Sequence, residues 1–381
     1  VTQPQLLAAG FPVNEDPRKY QIFYRGKEQC IYVEGESDGV FDATDYIEFY
    51  GRRNDGWLDA KLYNNPANHV NPNYSMYSDT STYFVTVAFG SGVTGKRMIM
   101  DTDVNFQAYT PEQFIGTHVL EQDTMGYVEG EPYTDYVDPT FDLASGFTGA
   151  RNNWISYTIP TPNASLSGPL PNVVMSVLNS NYDAGNKTYD LDIKANGNTF
   201  IQQPNVIGYQ KFDFNQNLSS NSALAGGSLL LQMNYLNPNG ATPSFHFTYT
   251  IVSYAHATTF AGESTFNQFF YTGGAGSLSK VRLDLDDFNT ADLSTRYIYV
   301  ISNDTVRRVT VVRTGNQVQA LVPVNGSEKK CLLTCESAVF SSNTDFLIEP
   351  VSVNPASFAR FNNFGYNSPA YDYLIKKKKK L

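Results

Sequence analysis

The chain has 381 residues, of which 41% are hydrophobic and 14% aromatic, including 26 Tyr and 25 Phe. This content of apolar and aromatic residues excludes intrinsic disorder and predicts domains large enough to bury a core. The formal charge is −10, and a terminal run of five lysines, residues 376–380, leaves −15 on the rest of the chain. This balance argues against a nucleic-acid partner. No apolar run reaches the roughly 18 residues of a membrane helix, so no membrane span is expected.

The chain begins Val1-Thr2-Gln3-Pro4, without Met and without a basic segment that leads into an apolar one. This start is typical of a mature or trimmed chain whose export signal has been removed.

Alternation of apolar and polar residues recurs along the chain and predicts an all-β fold. The segment Ser244–Tyr254 is the longest example. It is expected to bury one set of alternate residues (Phe245, Phe247, Tyr249, Ile251) and to turn the other set away from the core (His246, Thr248, Thr250).

Turn residues predict two hairpins and one short helix. The alternating strand Tyr189–Lys194 runs into Asn196-Gly197, which supply the positive φ angles of a tight turn. Gly315-Asn316 separates two further valine-rich strands. Thr110-Pro111-Glu112-Gln113 carries the capping residue, proline and acidic residue that begin a helix, here of one or two turns.

A cluster of prolines indicates where one domain ends and the next begins. Four prolines in Thr158–Pro171 separate two strand-rich blocks. We therefore predict an amino-terminal β domain at residues 1–160 and a β-sandwich domain at residues 165–355. Residues 356–381 are predicted to be a linker and the first strand of a following domain, because Tyr371–Ile375 resembles a buried strand cut short by lysines.

A nucleophile-elbow pattern, Gly-x-Ser-x-Gly, occurs at Gly35-Glu36-Ser37-Asp38-Gly39. The chemistry of that motif requires a strand before the serine and a long helix after it. No amphipathic helix is predicted in Val40–Tyr46, so a glycine-rich loop between strands is favoured. A serine hydrolase built on Ser37 is kept as a hypothesis to be tested.

Oxygen ligands alternate in Asp101-Thr102-Asp103-Val104-Asn105, and Glu112 stands at the twelfth position, as in a calcium-binding EF loop. Phe106 occupies the position of the glycine that such a loop needs, and flanking helices are not predicted. No cofactor is therefore expected, and a looser structural calcium site in a β-sandwich is the alternative left open. A second acidic cluster, Asp284, Asp286 and Asp287, is expected to be a solvated turn.

The histidines and cysteines lack the spacing of zinc or redox sites. Cys331 and Cys335 would lie about 13 Å apart in an extended strand, beyond the disulfide reach of about 7 Å. Both groups are predicted to be structural, so no catalytic, cofactor-binding or metal residue is assigned; they are His69, His118, His246, His256, Cys30, Cys331 and Cys335.

Several segments in order resemble the amino-terminal region of the gingipain-type cysteine peptidases of Bacteroidota, most of all the sortase-like subunit of the type nine secretion system. The most specific run comprises Ile31–Gly35, Asp38–Asp42 and Asp45–Gly51. The other segments are Asn71–Ser75, Asp79–Phe84, His118–Asp123 and Tyr366–Ile375.

This resemblance implies a chain that precedes an α/β peptidase domain. The family's catalytic dyad is a histidine followed by glycine and a cysteine preceded by alanine, in which a thiolate attacks an acyl carbon. Neither motif occurs in this chain, so no catalytic residue is carried over. Two triplets, Asp123-Thr124-Met125 and Asp304-Thr305-Val306, also resemble the O-glycosylation sequence of Bacteroidota.

The sequence thus predicts the noncatalytic amino-terminal region of an exported gingipain-like or sortase-like protein. Its expected partners are the downstream peptidase domain and secretion components or secreted proteins, at the cell surface or outer membrane of a Gram-negative bacterium. The alternative is a surface adhesin or carbohydrate-binding β-sandwich without an enzyme, because exposed Tyr and Trp can stack on sugar rings.

Overall fold

The computed structural model describes residues 1–129, 145–181, 187–263, 266–271, 279–302, 304–324, 328–338, 346–350 and 373–377. Strands account for 50% of the structure and helices for 11%, which confirms the all-β prediction. No helix in the described part of the chain is both long and apolar enough to span a bilayer.

The helical elements are short. Among the residues that the structure describes, one α-helix, α1, spans Gln3–Ala8 near the start of the chain. The other helical turns of these residues are of the 3-10 type and lie in loops: Pro17–Lys19, Glu36–Asp38, Gly56–Leu62, Pro66–Asn68, Phe106–Ala108, Asn221–Leu224 and Glu336–Ala338.

The strands of the first part of the chain are β1 (Tyr20–Tyr24), β2 (Lys27–Gln29), β3 (Ile31–Val33), β4 (Ile47–Phe49), β5 (Thr82–Val87), β6 (Ile99–Asp101), β7 (Phe114–Gln122), β8 (Gly126–Glu129), β9 (Ser145–Thr148), β10 (Ile155–Pro160), β11 (Asn172–Ser180), β12 (Thr188–Ala195) and β13 (Asn198–Val206).

The later strands are β14 (Tyr209–Asn217), β15 (Ser228–Asn239), β16 (Phe245–Ala257), β17 (Phe266–Tyr271), β18 (Lys280–Asp286), β19 (Arg296–Ile301), β20 (Val306–Val309), β21 (Val311–Thr314), β22 (Gln317–Pro323), β23 (Lys329–Cys335), β24 (Phe346–Pro350) and β25 (Tyr373–Lys377).

A nine-stranded sheet forms the centre of the fold, in the order β14-β11-β16-β7-β17-β23-β19-β20-β6. One half of it packs against the four-stranded sheet β10-β15-β12-β13, and the other half against the three-stranded sheet β18-β22-β21. Alternate residues of each pair of sheets fill the space between them, as in a β-sandwich. Met175, Leu191 and Phe247 are fully buried in the first half, and Leu283, Ile298 and Leu333 in the second.

A separate five-stranded sheet, β2-β1-β5-β25-β24, packs with α1 and the hairpin β3-β4 around Tyr20, Ile22 and Val85. Strand β25 overlaps the strand predicted at Tyr371–Ile375 and pairs with both β5 and β24. Strands on the two sides of the predicted boundary near residue 160 share sheets, since β7 lies between β16 and β17. The predicted division into domains remains a prediction.

Both predicted hairpins are confirmed. β12 and β13 pair through a turn in which Asn196 has φ +48° and Gly197 has φ +80°. β21 and β22 pair through a turn with Gly315 at φ +62°. The helix predicted at Thr110-Pro111-Glu112-Gln113 is wrong, because Pro111 forms a bridge with Arg282 and β7 begins at Phe114.

The predicted buried face of Ser244–Tyr254 is only half right. Val177 of β11 pairs with Phe247, and the preceding Ser176 pairs with Tyr249, so Thr248 is an extra residue in a β-bulge. The bulge exchanges the two faces of the strand. Phe247 points into the core, whereas Tyr249 beyond the bulge is only partly buried and Thr250 is buried in its place.

Candidate functional site at the junction of two sheets

The hairpin β3-β4 of the amino-terminal part lies against strands β19 and β20 of the nine-stranded sheet. Register brings the contacting side chains together, because Tyr32 pairs with Glu48 across the hairpin and Tyr299 pairs with Arg308 across the two strands. The guanidinium carbon of Arg308 lies 4.7 Å from the ring centroid of Tyr32 and 4.2 Å from that of Tyr297. Arg308 is thus in cation-π contact with one tyrosine from each sheet.

Glu48 connects the same two strands by polar contacts. Its Oε1 accepts a hydrogen bond of 2.7 Å from the Tyr299 hydroxyl and lies 3.8 Å from Nη1 of Arg308. Burial and the nearby Glu48 carboxylate raise the pKa of Tyr299, so its hydroxyl stays protonated and donates. Burial disfavours the charge on Arg308, but Glu48 and the neighbouring tyrosines outweigh that effect and raise its pKa.

An apolar cluster continues the junction beside these polar groups. It contains Cys30 from the amino-terminal part and Met98 from the segment that precedes β6. Tyr299, Ile301 and Val306 complete it from the nine-stranded sheet. The junction therefore combines a buried charge, aromatic stacking and apolar burial, which suits a rigid connection between two β parts rather than a catalytic centre.

Ser37 lies in the 3-10 turn Glu36–Asp38 between β3 and β4 and is exposed. The glycines on either side, Gly35 and Gly39, have φ angles of +80° and +82°. The described chain continues from this turn into β4, not into the long helix of a nucleophile elbow.

The proposed calcium ligands are engaged by a lysine. Lys280 Nζ lies 2.8 Å from Asp101 Oδ1 and 3.1 Å from Asp103 Oδ2, so an ammonium group occupies the space between these carboxylates. Within the described ranges, no group of three or more His, Cys, Asp or Glu side chains is arranged to hold a metal ion.

The second acidic cluster lies on β18 and the turn that follows it. Asp284 forms an ion pair of 2.7 Å with Arg282, and Asp286 accepts a hydrogen bond from Gln317. Asp287 has φ +59° and accepts a hydrogen bond from Asn316. The carboxylates thus bond different neighbours along the β18-β22 edge and do not converge on one point.

His246 belongs to a buried Ser–His pair that the sequence spacing did not indicate. Its Nε2 lies 2.7 Å from the Ser180 hydroxyl oxygen, and its Nδ1 lies 3.0 Å from the Gly149 carbonyl oxygen. A backbone carbonyl accepts from Nδ1, so Nε2 is the acceptor for the serine. His246 and Ser180 are only 5% and 7% exposed, so both side chains are largely shielded from solvent in this structure.

The other histidines also have structural surroundings. His256 is buried and its Nε2 lies 2.9 Å from Glu263 Oε1, while His118 contacts the Ser253 hydroxyl beside the ring of Phe270. His69 is buried among Tyr63, Val70 and other residues of a small pocket. The three cysteines, Cys30, Cys331 and Cys335, are buried, and none of them forms a disulfide with another.

The exposed aromatic residues in the described part of the chain are Trp57, Tyr77, Phe89, Tyr127 and Trp154. Trp57 is 45% exposed and Tyr77 72%, and both lie in the loops between β4 and β5. The guanidinium carbon of Arg25 lies 4.6 Å from the ring centroid of Trp57. Arg25 therefore covers one face of the Trp57 ring, and that face cannot stack on a sugar ring.

Sequence reasoning did not identify Arg308 or Glu48, since neither belongs to a chemical motif. A weak signal was present in Tyr297-Ile298-Tyr299, where two tyrosines share one strand face. Only the tertiary fold brings Tyr32 and Glu48 to that face.

No family model matches the chain, and no curated protein matches its sequence. Among solved structures, the chain is similar to dimeric latent PorU from Porphyromonas gingivalis, with a TM-score of 0.55 and 16% sequence identity over 88% of this chain. The chain spans 31% of the PorU chain. The likeness shows that the two proteins share a β-rich fold, and it supports at the level of fold the resemblance found in the sequence.

Two further structures have much lower scores. One is the CBM36-1 domain of a multidomain xylanase from the hindgut metagenome of Trinervitermes trinervoides, at TM-score 0.20 and 16% identity over 42% of this chain and 99% of that domain. The other is a cycloisomaltooligosaccharide glucanotransferase from Paenibacillus sp., at TM-score 0.17 and 6% identity over 62% of this chain and 48% of the other. Scores this low do not indicate a common fold.

Proposed function

We propose that this chain is the noncatalytic, β-rich amino-terminal region of an exported gingipain-like or type nine secretion sortase-like protein, and that it positions a downstream cysteine peptidase domain. The observation that carries the proposal is the fold shared with PorU over 88% of this chain. Because the chain spans 31% of PorU, the proposal assigns to it a region and not the activity of a whole enzyme.

The junction supports a positioning role. A region that orients an enzyme must hold its own parts in a fixed relation, and the contacts of Arg308 and Glu48 join the amino-terminal hairpin to the nine-stranded sheet. Burial of these side chains makes sliding of one part over the other costly, since any displacement would leave a charge without its partners.

The proposed partners are the downstream peptidase domain and, at the cell surface or outer membrane of a Gram-negative bacterium, secretion components or secreted proteins. The likeness to PorU supports this setting.

The first test is the reading frame that follows codon 381. We expect it to encode a domain with a His-Gly and an Ala-Cys pair, the family's dyad. That domain is then expressed with and without residues 1–381. With them, we expect a higher yield of soluble protein and a higher midpoint of thermal unfolding, because the amino-terminal region covers the surface on which the domain docks.

The control is the same fusion with Arg308→Met, compared with the fusion that carries Arg307→Met at the neighbouring, more exposed position. If only Arg308→Met abolishes the stabilising effect, the positioning of the peptidase domain depends on the junction. A stop codon, or an unrelated domain in that frame, would overturn the proposal.

The alternative, a carbohydrate-binding surface protein, makes a different prediction. It requires saturable heat release when polysaccharides are titrated into residues 1–381, and loss of that signal in Trp57→Ala and Tyr77→Ala. Flat titrations count against this alternative. Arg25 already covers one face of the Trp57 ring, so that face is not available to a sugar.

A further inference from the structure

A polar cleft opens beside the junction, between β2 and the turn that connects β19 to β20. Its accessible volume is about 30 Å³, and it is open to solvent. Three basic residues, Lys27, Arg52 and Lys96, line it together with Tyr50 and two acidic residues, Glu28 and Asp304. Cys30 also lines the cleft and is 6% exposed, and its Sγ lies 3.5 Å from the backbone carbonyl oxygen of Asp304.

A fourth basic residue, Lys330, borders the cleft. It pairs across the sheet with Ile301, a lining residue, and its Nζ lies 5.4 Å from the ring centroid of Tyr50. The guanidinium carbon of Arg52 lies 5.5 Å from the centroid of the same ring. One tyrosine therefore contacts two positive charges. These charges repel each other, and an anion bound near them would offset the repulsion.

In the described part of the chain, the basic groups of the cleft form no ion pair with a carboxylate. Among the described residues, no Asp or Glu oxygen lies within 4.0 Å of the charged nitrogens of these four side chains. Glu28 also lines the cleft, but its Oε1 accepts a 2.7 Å hydrogen bond from the backbone N–H of Lys96. Elsewhere in the same sheet and its loops, Arg18, Arg25 and Arg97 each form an ion pair of 2.8 Å or less.

This concentration of unpaired cations contrasts with the chain as a whole, whose net charge is −10. A local positive potential in an acidic protein attracts a small anion. An arginine fork that binds two oxygens at once, with lysines beside it, is the usual way to hold a phosphate or carboxylate group.

We propose that this cleft binds a compact oxyanion, a phosphate or carboxylate group of a ligand. Its principal contacts are Arg52 and Lys330, the two cations beside Tyr50, and Lys27 and Lys96 are further contacts from the lining. The inference does not rest on the proposed function, because it uses only the charges and shape of the cleft.

The test is calorimetric titration of residues 1–381 with sodium phosphate and, separately, with sodium citrate, each against sodium chloride at matched ionic strength. We expect one saturable site. The double variant Arg52→Gln/Lys330→Gln should bind at least about tenfold more weakly, since it removes both principal contacts. The matched control Arg53→Gln/Lys61→Gln removes two exposed cations that do not line the cleft and should change affinity less than twofold.

Tighter binding of phosphate would assign a phosphate-bearing ligand, and tighter binding of citrate a carboxylate-bearing one. Lys27→Gln, at the exposed first residue of β2, is a second variant, and it should weaken binding about threefold. The proposal is overturned if chloride gives the same response as phosphate and citrate, or if the double variant and the control bind equally well.

Discussion

The guanidinium carbon of Arg308 stacks 4.2 Å from the ring centroid of Tyr297, on the face of the nine-stranded sheet that the β3-β4 hairpin covers. Tyr32 of the hairpin contacts the same guanidinium from the amino-terminal part. Arg308 therefore contacts tyrosine rings from two different sheets. Its side chain is 14% exposed, so its charge depends on these rings and on Glu48 for compensation.

Arg308→Met should lower the free energy of unfolding by about 3 kcal/mol, because Glu48 would stay buried without its cation. Arg307→Met is the matched control: its side chain is 37% exposed and lies 3.9 Å from Asp101, which also binds Lys280. That change should cost less than about 1 kcal/mol. Urea unfolding followed by tyrosine fluorescence measures both, and equal losses would contradict the role assigned to Arg308.

Gly35 and Gly39 have nearly the same backbone conformation but different surroundings. A Cβ at Gly35 would lie 2.3 Å from Oδ2 of the buried Asp45, which also accepts the Asp42 N–H. A Cβ at Gly39 would meet only the end of the Arg18 side chain, at 3.1 Å. Gly39→Ala should cost about 1 kcal/mol from its positive φ alone, and Gly35→Ala about 3 kcal/mol. Similar losses would show that Asp45 moves aside freely.

Ser37 lies between these glycines and offers a direct test of the serine-hydrolase hypothesis. Because it is exposed, Ser37→Ala should change the free energy of unfolding by less than about 0.5 kcal/mol. We also expect equal rates of ester hydrolysis, at background level, in the wild type and the variant. An esterase activity that disappears with Ser37→Ala would instead establish a catalytic serine.

The sequence predicted the strands better than it predicted their faces. Hairpins such as β12-β13 were predictable because Asn196-Gly197 specifies the turn locally. The reversal of faces at Thr248 was not, because a bulge depends on pairing with Ser176, 72 residues away in the chain. A single extra residue is invisible in the alternation of one strand taken alone.

The candidate site was harder to predict for the same reason. Tyr299 and Glu48 are 251 residues apart, and neither stands in a pattern with known chemistry. Motifs that the sequence does display proved to have structural roles: the Asp101 and Asp103 carboxylates bind Lys280, which lies far from them in the chain. Spacing within a segment shows which ligands could converge, but it does not show which cation reaches them.

His246 provides a prediction about pH. Burial of the ring lowers its pKa below the ordinary value of about 6.5, and this effect outweighs the hydrogen bond to the Gly149 carbonyl, which by itself would raise the pKa. Below pH 6.5 the unfolded chain therefore binds a proton that the folded chain does not, so stability present above that pH is lost as the pH falls. The free energy of unfolding should decrease from pH 7 to pH 5.

Two measurements check this effect. Urea unfolding at several pH values should show a smaller decrease in His246→Gln than in the wild type. The NMR signals of the His246 ring in the wild-type protein should titrate below pH 6.5, which keeps the test valid if the variant folds poorly. A ring that titrates at or above 6.5 would contradict the assignment.

Residues 1–381 alone should not hydrolyse peptides, and their thiols should react slowly. Cysteine catalysis needs an exposed thiolate within reach of a base. Burial raises the pKa of Cys331, and Cys335 is fully buried next to it on β23. Cys30 is only 6% exposed, and its Sγ lies 3.5 Å from the backbone carbonyl oxygen of Asp304. Iodoacetamide should therefore label the native protein far more slowly than the urea-unfolded chain. Rapid labelling by a peptidyl acyloxymethyl ketone, with peptide turnover abolished by mutation of the labelled cysteine, would establish an enzyme where we predict a scaffold.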